Sequence, residues 1–125
     1  MSSSPHPNFF LLYVDRPPAS ADFYAGLLGR PAVEVSATFA LFALESGVML
    51  GLWSKHTVEP AATAGGGGAE VAFSLADRDA VDARYADWRA KGLPMLQAPV
   101  ALDFGYTFVA LDPDGHRLRV FAAGA

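Results

Sequence analysis

The sequence predicts an α+β fold: two tandem βαβββ modules whose mixed sheets curve into a cup, with the helices on the convex face. Three observations predict it. The order strand, helix, three strands occurs twice, in halves of roughly 50 residues, and internal duplication of this kind sets an architecture. A Gly-rich stretch, "HTVEPAATAGGGG" (56–68), separates the halves. Hydrophobic residues make up 52% of the 125-residue chain and charged residues 18%, which suits one domain with a substantial core and an apolar cavity besides. The expected bounds are 8–55 for the first module, 56–68 for the linker and 69–122 for the second, within a single domain spanning 1–125.

The first element is the strand "FFLLYV" (9–14), followed by the helix "SADFYAGLLG", with Ser20 as its expected N-cap and Gly29 as its stop. Strands follow at "AVEVS", "TFALFAL" and "GVMLGLW". The Gly65–Gly68 run makes the connection flexible; no Gly-Lys-Ser/Thr signature follows it, so it does not read as a phosphate loop. The second half opens with "AEVAFSL" (69–75). Its helix, "DAVDARYADWRAKG", carries Val81, Tyr85 and Trp88 at helical spacing and stops at Gly92. Strands at "LPMLQ", "YTFVALD" and "HRLRVF" complete it.

The bulk composition excludes several functions. A net charge of −4 argues against nucleic-acid binding, which needs a basic footprint. There is no cysteine, so neither disulfides nor thiolate chemistry enters. The apolar runs are too short to span a membrane and the start lacks the pattern of a signal peptide, so a soluble cytoplasmic protein is expected. His6, His56 and His116 have no mutual ligand spacing, Asp112 and Asp114 read as turn-shaping residues, and no Ser-His-Asp arrangement or paired nucleophile and base suggests itself. No catalytic residue is therefore assigned.

Two stretches, "YVDRPPASADFYAGLLG" (13–29) and "ALDPDGHRLRV" (110–120), one in each half, resemble the vicinal oxygen chelate superfamily of glyoxalase I, extradiol dioxygenases, fosfomycin-resistance enzymes and bleomycin-resistance proteins. "LGLWS" with "DPDGHRLRV" looks like its phenazine-resistance and thiocoraline-sequestering type of antibiotic-binding protein. The resemblance covers nearly the whole chain. It implies paired βαβββ modules, a homodimer, and a cup formed by the concave sheet. In the enzymes of that superfamily, His and Glu side chains on the concave face hold a divalent metal. Those positions fall here on Phe9, Glu70 and Arg119. Phenylalanine cannot coordinate, arginine has no lone pair to give, and one carboxylate does not make a tight site. The resemblance thus implies a retained fold with no metal and no other cofactor.

On the same basis Arg119 points into the cup, with Glu70 as its potential ion-pair partner; Arg117, on the same strand face, is left open between site and solvent. Alternation along the strands adds Leu11 and Tyr13 to Phe9, then Ala40, Phe42, Met49, Gly51 and Trp53. In the second half it gives Glu70, Ala72, Ser74, Thr107, Val109 and Phe121. Trp53 is the expected stacking platform, with Phe42 or Tyr13 nearby and Gly51 leaving room for a flat ligand, while Arg119 would bond a carboxylate, carbonyl or phenolate. The function expected is non-catalytic sequestration of a planar aromatic antibiotic or related metabolite of quinoxaline, quinoline or phenazine type. The alternative is a metal-dependent lyase, dioxygenase or thiol transferase of the same superfamily, using ligands such as Glu70 with His56 or Asp103. A third is a module whose cup is filled by its own side chains.

Overall fold

A computed structural model of the chain describes residues 5–124. In chain order the elements are β1 (Phe9–Val14), α1 (Pro17–Leu28), β2 (Glu34–Val35), β3 (Phe39–Ala43), β4 (Met49–Ser54), β5 (Glu70–Ser74), α2 (Arg78–Ala90), β6 (Met95–Leu102), β7 (Gly105–Leu111) and β8 (Arg117–Ala123). They form two four-stranded mixed sheets with the same order, β1-β4-β3-β2 and β5-β8-β7-β6. In each, the first strand pairs parallel with the last and the remaining pairs are antiparallel. This is the α+β arrangement of two βαβββ modules read from the sequence. The chain divides into two compact units between Ala64 and Gly65, inside the Gly-rich stretch.

In the first unit α1 begins earlier than expected. Pro17 and Pro18 open it after Arg16, whose backbone is extended; proline tolerates the first turn because the N–H it lacks would have no helical partner there. Ser20 is not a cap but a buried residue inside the helix. Gly29 ends the helix as expected, in the left-handed conformation at φ 68°, with its N–H donating to the Ala25 carbonyl. Between α1 and its sheet the core is Val14, Ala40, Phe42, Leu50 and Leu52, with Ala21 and Tyr24 from the helix.

In the second unit Asp77 caps α2, its carboxylate accepting from the Ala80 N–H at 2.8 Å. Asp79 in the first turn and Arg89 in the last complement the helix dipole. Trp88 packs edge-on against Phe73 and Phe108, with ring centroids 5.5 and 5.6 Å apart. Val81, Leu118 and Val120 complete that layer. β6 runs well past the expected "LPMLQ", to Leu102, with register shifts on either side of Gln97. Pro99 lies in this strand, which the sheet order places at an edge, where a missing ladder donor is tolerated.

One expected inward segment has the opposite phase. Pairing sets Phe39 opposite Trp53, Leu41 opposite Gly51 and Ala43 opposite Met49. Ala40 and Phe42 therefore face α1, opposite Leu52 and Leu50, and both are fully buried. The residues of β3 that share a face with Trp53 are Phe39, Leu41 and Ala43.

Candidate functional site

Each helix covers one face of its sheet and leaves the other without a helix. On the first sheet the helix-free face comprises Phe9, Leu11 and Tyr13 of β1, Met49, Gly51 and Trp53 of β4, and the three β3 residues just named. The expected members from β1 and β4 are thus brought together, and Phe42 is not among them. Trp53 is half-buried and lies edge-on to Phe39, with centroids 6.2 Å apart and planes at 87°. Such geometry fixes the indole through the ring quadrupoles. Phe9 and Tyr13 are exposed.

Gly51 has a different role from the one expected. A Cβ there would stand 2.6 Å from Leu11 Cδ2 and 2.9 Å from Phe39 Cζ. The space its missing side chain leaves is filled by those two residues, so it permits close packing on the face and is not room kept for a ligand.

On the second sheet, Glu70, Ala72 and Ser74 of β5 share the helix-free face with Arg117, Arg119 and Phe121 of β8 and with Thr107 and Val109 of β7. Here every expected member has the predicted orientation. Arg119 Nε donates to Glu70 Oε1 at 2.6 Å and Nη2 donates to Oε2 at 3.0 Å, a bidentate fork. Its Nη1 donates to the Thr107 hydroxyl oxygen at 3.1 Å. That hydroxyl donates onward to the Val120 carbonyl at 2.8 Å, and Thr107 is buried. Arg117 Nη1 is 3.8 Å from Glu70 Oε2. The hydrogen bonds from Arg119 hold the Glu70 carboxyl below its ordinary value, outweighing desolvation, and the charges of Arg119 and Arg117 add to the effect.

Besides Leu41 and Ala43, two aromatic residues of these faces escaped the sequence reading. Phe39 was missed because nothing in "TFALFAL" fixes which alternate set faces the helix. Phe104, in the turn before β7, lies with its ring 5.7 Å from the Arg119 guanidinium carbon and 5.9 Å from the Phe121 ring centroid. Its signal would have been an aromatic residue directly beside a strand aimed at an arginine. Tyr106, by contrast, faces away: its hydroxyl donates to Asp82 on α2 at 2.7 Å, and Arg78 lies over its ring. Asp112 shapes the turn before β8 as expected, accepting from the backbone N–H groups of Asp114 and His116.

The residues at the superfamily's metal positions do not fit a metal. Phe9 offers no donor atom. Both oxygens of Glu70 are bonded by the Arg119 fork, and that cation would repel a divalent ion in the same place. The alternative ligand His56 lies beside Asp15, with Nε2 2.6 Å from Oδ1. Among the described residues, no group of three or more His, Cys, Asp or Glu side chains is arranged to hold an ion. Among the described residues, no helix is long and apolar enough to cross a membrane.

Comparison with known proteins gives a consistent family. The chain is 29% identical over 117 residues to the phenazine antibiotic resistance protein EhpR of Enterobacter agglomerans, covering 91% of this chain and 89% of that protein. It is 55% identical to an Agrobacterium tumefaciens protein known from a solution NMR structure, with a TM-score of 0.90 and coverage of 98% and 100% of the two chains. A glyoxalase/bleomycin resistance protein/dioxygenase from Nocardioides is 25% identical, with a TM-score of 0.80 and coverage of 100% of this chain and 89% of that one. The family model described as Glyoxalase/Bleomycin resistance protein/Dioxygenase superfamily matches residues 6–120, and with nearly the whole chain so matched, this protein belongs to that superfamily.

Proposed function

We propose that this protein binds and sequesters a planar aromatic antibiotic or related metabolite of the phenazine, quinoline or quinoxaline type, without converting it. The observation that carries this reading is the bidentate closure of Arg119 on Glu70, at positions where an enzyme of the superfamily would hold its metal. It turns a carboxylate that would ligate an ion into the support of a cation that recognises an acceptor. EhpR, a phenazine antibiotic resistance protein by name, supports the resistance role. The helix-free faces support the ligand chemistry: Trp53 with Phe39 on one sheet, Phe121 with Phe104 on the other. Aromatic surface with a few oriented polar groups suits a flat, largely apolar ligand. The protein acts in the cytoplasm as a homodimer in this reading. The second part draws on β1, an edge strand whose Phe9, Phe10, Leu11 and Tyr13 are all exposed, an apolar edge that free monomers avoid.

Fluorescence titration with phenazine, quinoline and quinoxaline compounds, with and without a chelator, tests the reading. Saturable quenching unaffected by the chelator is expected. Absence of saturable binding to any of them, or binding that requires added divalent metal, would contradict it.

A further inference from the structure

The charge of the second sheet's helix-free face specifies the ligand further. The whole chain carries a net charge of −4. The paired strand residues on this face nevertheless include two cations, Arg117 and Arg119, against one anion, Glu70. The face is therefore locally positive by one charge in an otherwise acidic protein.

The donors are arranged to use that charge. A guanidinium has five N–H groups. Three of those on Arg119 hold it in place, two on Glu70 and one on Thr107, which fixes the plane of the group and leaves two for an acceptor outside the protein. Arg117 makes no comparable closure. Its 3.8 Å approach to Glu70 is longer than a hydrogen bond, and its side chain is 42% exposed where that of Arg119 is 18% exposed. Glu70 thus neutralises and positions one arginine, while the other retains its fork and its charge. Beside Arg119 stands Phe104, its ring near the guanidinium, with Phe121 edge-on to Phe104. An aromatic pair beside a fixed cation, with a second and more exposed cation two residues along the same strand face, matches an arene bearing an anionic oxygen group.

Resting on the sequestration reading, we infer that the ligand is a planar aromatic carboxylate whose acid group is taken by Arg117 and Arg119. Arg117 is the residue that distinguishes an acid from its neutral analogues, because the charge of Arg119 is already matched by Glu70. A carboxamide of the same shape keeps the ring contacts and one acceptor but loses the negative charge.

The test compares phenazine-1-carboxylic acid with phenazine-1-carboxamide, titrated into the parent and into Arg117→Gln at low salt, near neutral pH. The parent should bind the acid at least about tenfold more tightly than the amide, since charge-assisted hydrogen bonds are roughly twice as strong as neutral ones. In folded Arg117→Gln that ratio should shrink to within about threefold of unity, and in the parent it should fall as salt is added. Equal affinity of the parent for acid and amide, or preference for the amide, overturns the inference and leaves sequestration standing. An undiminished ratio in Arg117→Gln removes Arg117 from it and overturns the assignment. Failure of the parent to bind either compound overturns the inference, and sequestration falls with it only if the quinoline and quinoxaline compounds fail to bind as well.

Discussion

Arg119 has a fork on Glu70, a third hydrogen bond to Thr107 and an aromatic ring beside it. The orientation of Arg119, and its pairing with Glu70, were legible in the sequence through strand alternation and the resemblance. The Phe104 contact was not, because a turn residue obeys no periodicity. The pair also has a pH signature. The Glu70 carboxyl is held below its ordinary value of 4.5, so the pair's contribution to stability is present in full above that pH and is lost as the pH falls through the lower folded value. Glu70 is partly exposed, which limits the effect to about 1 kcal/mol or less. Urea unfolding of parent and Glu70→Gln at about pH 7 and about pH 3 checks this, and the parent should lose more stability over the interval than the variant does. Trp53 carries a second prediction at this scale. Replacing it with alanine should weaken binding of a flat aromatic ligand by at least about tenfold, combining lost ring contact and lost burial. Ligand-induced quenching should fall in folded Trp53→Ala, since Trp88 is buried on the sheet-facing side of α2 against Phe73 and Phe108.

At the scale of elements, all eight strands and both helices stood out in the sequence, although the two-residue β2 is shorter than "AVEVS" suggested. What alternation cannot supply is phase. In "TFALFAL" both alternate sets are apolar, so either could face the helix; the tie is broken by the turn at 44–48, where the Leu44 N–H donates to the Val48 carbonyl and sets β3 against β4. The start of α1 was misread for a related reason. Ser20 has a capping side chain, but two prolines ahead of it are already acceptable as a first helical turn. The corrected phase makes a clear prediction. Phe42 is fully buried and Phe9 is 45% exposed. Phe42→Ala should cost about 3–5 kcal/mol of unfolding free energy. Phe9→Ala should cost less than about 1 kcal/mol. Chemical denaturation of the two variants checks the difference, and similar losses would mean that β3 does not have this register.

For the whole molecule, the duplication was readable because each unit repeats one strand order around its own helix, and the Gly-rich stretch marks where the units divide. The oligomeric state leaves a weaker mark in sequence, since apolar residues on an edge strand read the same whether a partner covers them or not. Phe10, 54% exposed on β1, belongs to that set. Sedimentation equilibrium should give twice the chain mass of 13.2 kDa, and a monomer that binds ligand in full would contradict the dimer. Binding without conversion is the central claim, and native mass spectrometry of the protein incubated with phenazine, quinoline and quinoxaline compounds tests it most directly. The account predicts a saturable complex whose added mass is that of the unaltered ligand, with the same ligand recovered intact on release and no divalent metal required. Absence of any complex, or release of a chemically altered product that depends on added metal, would contradict it.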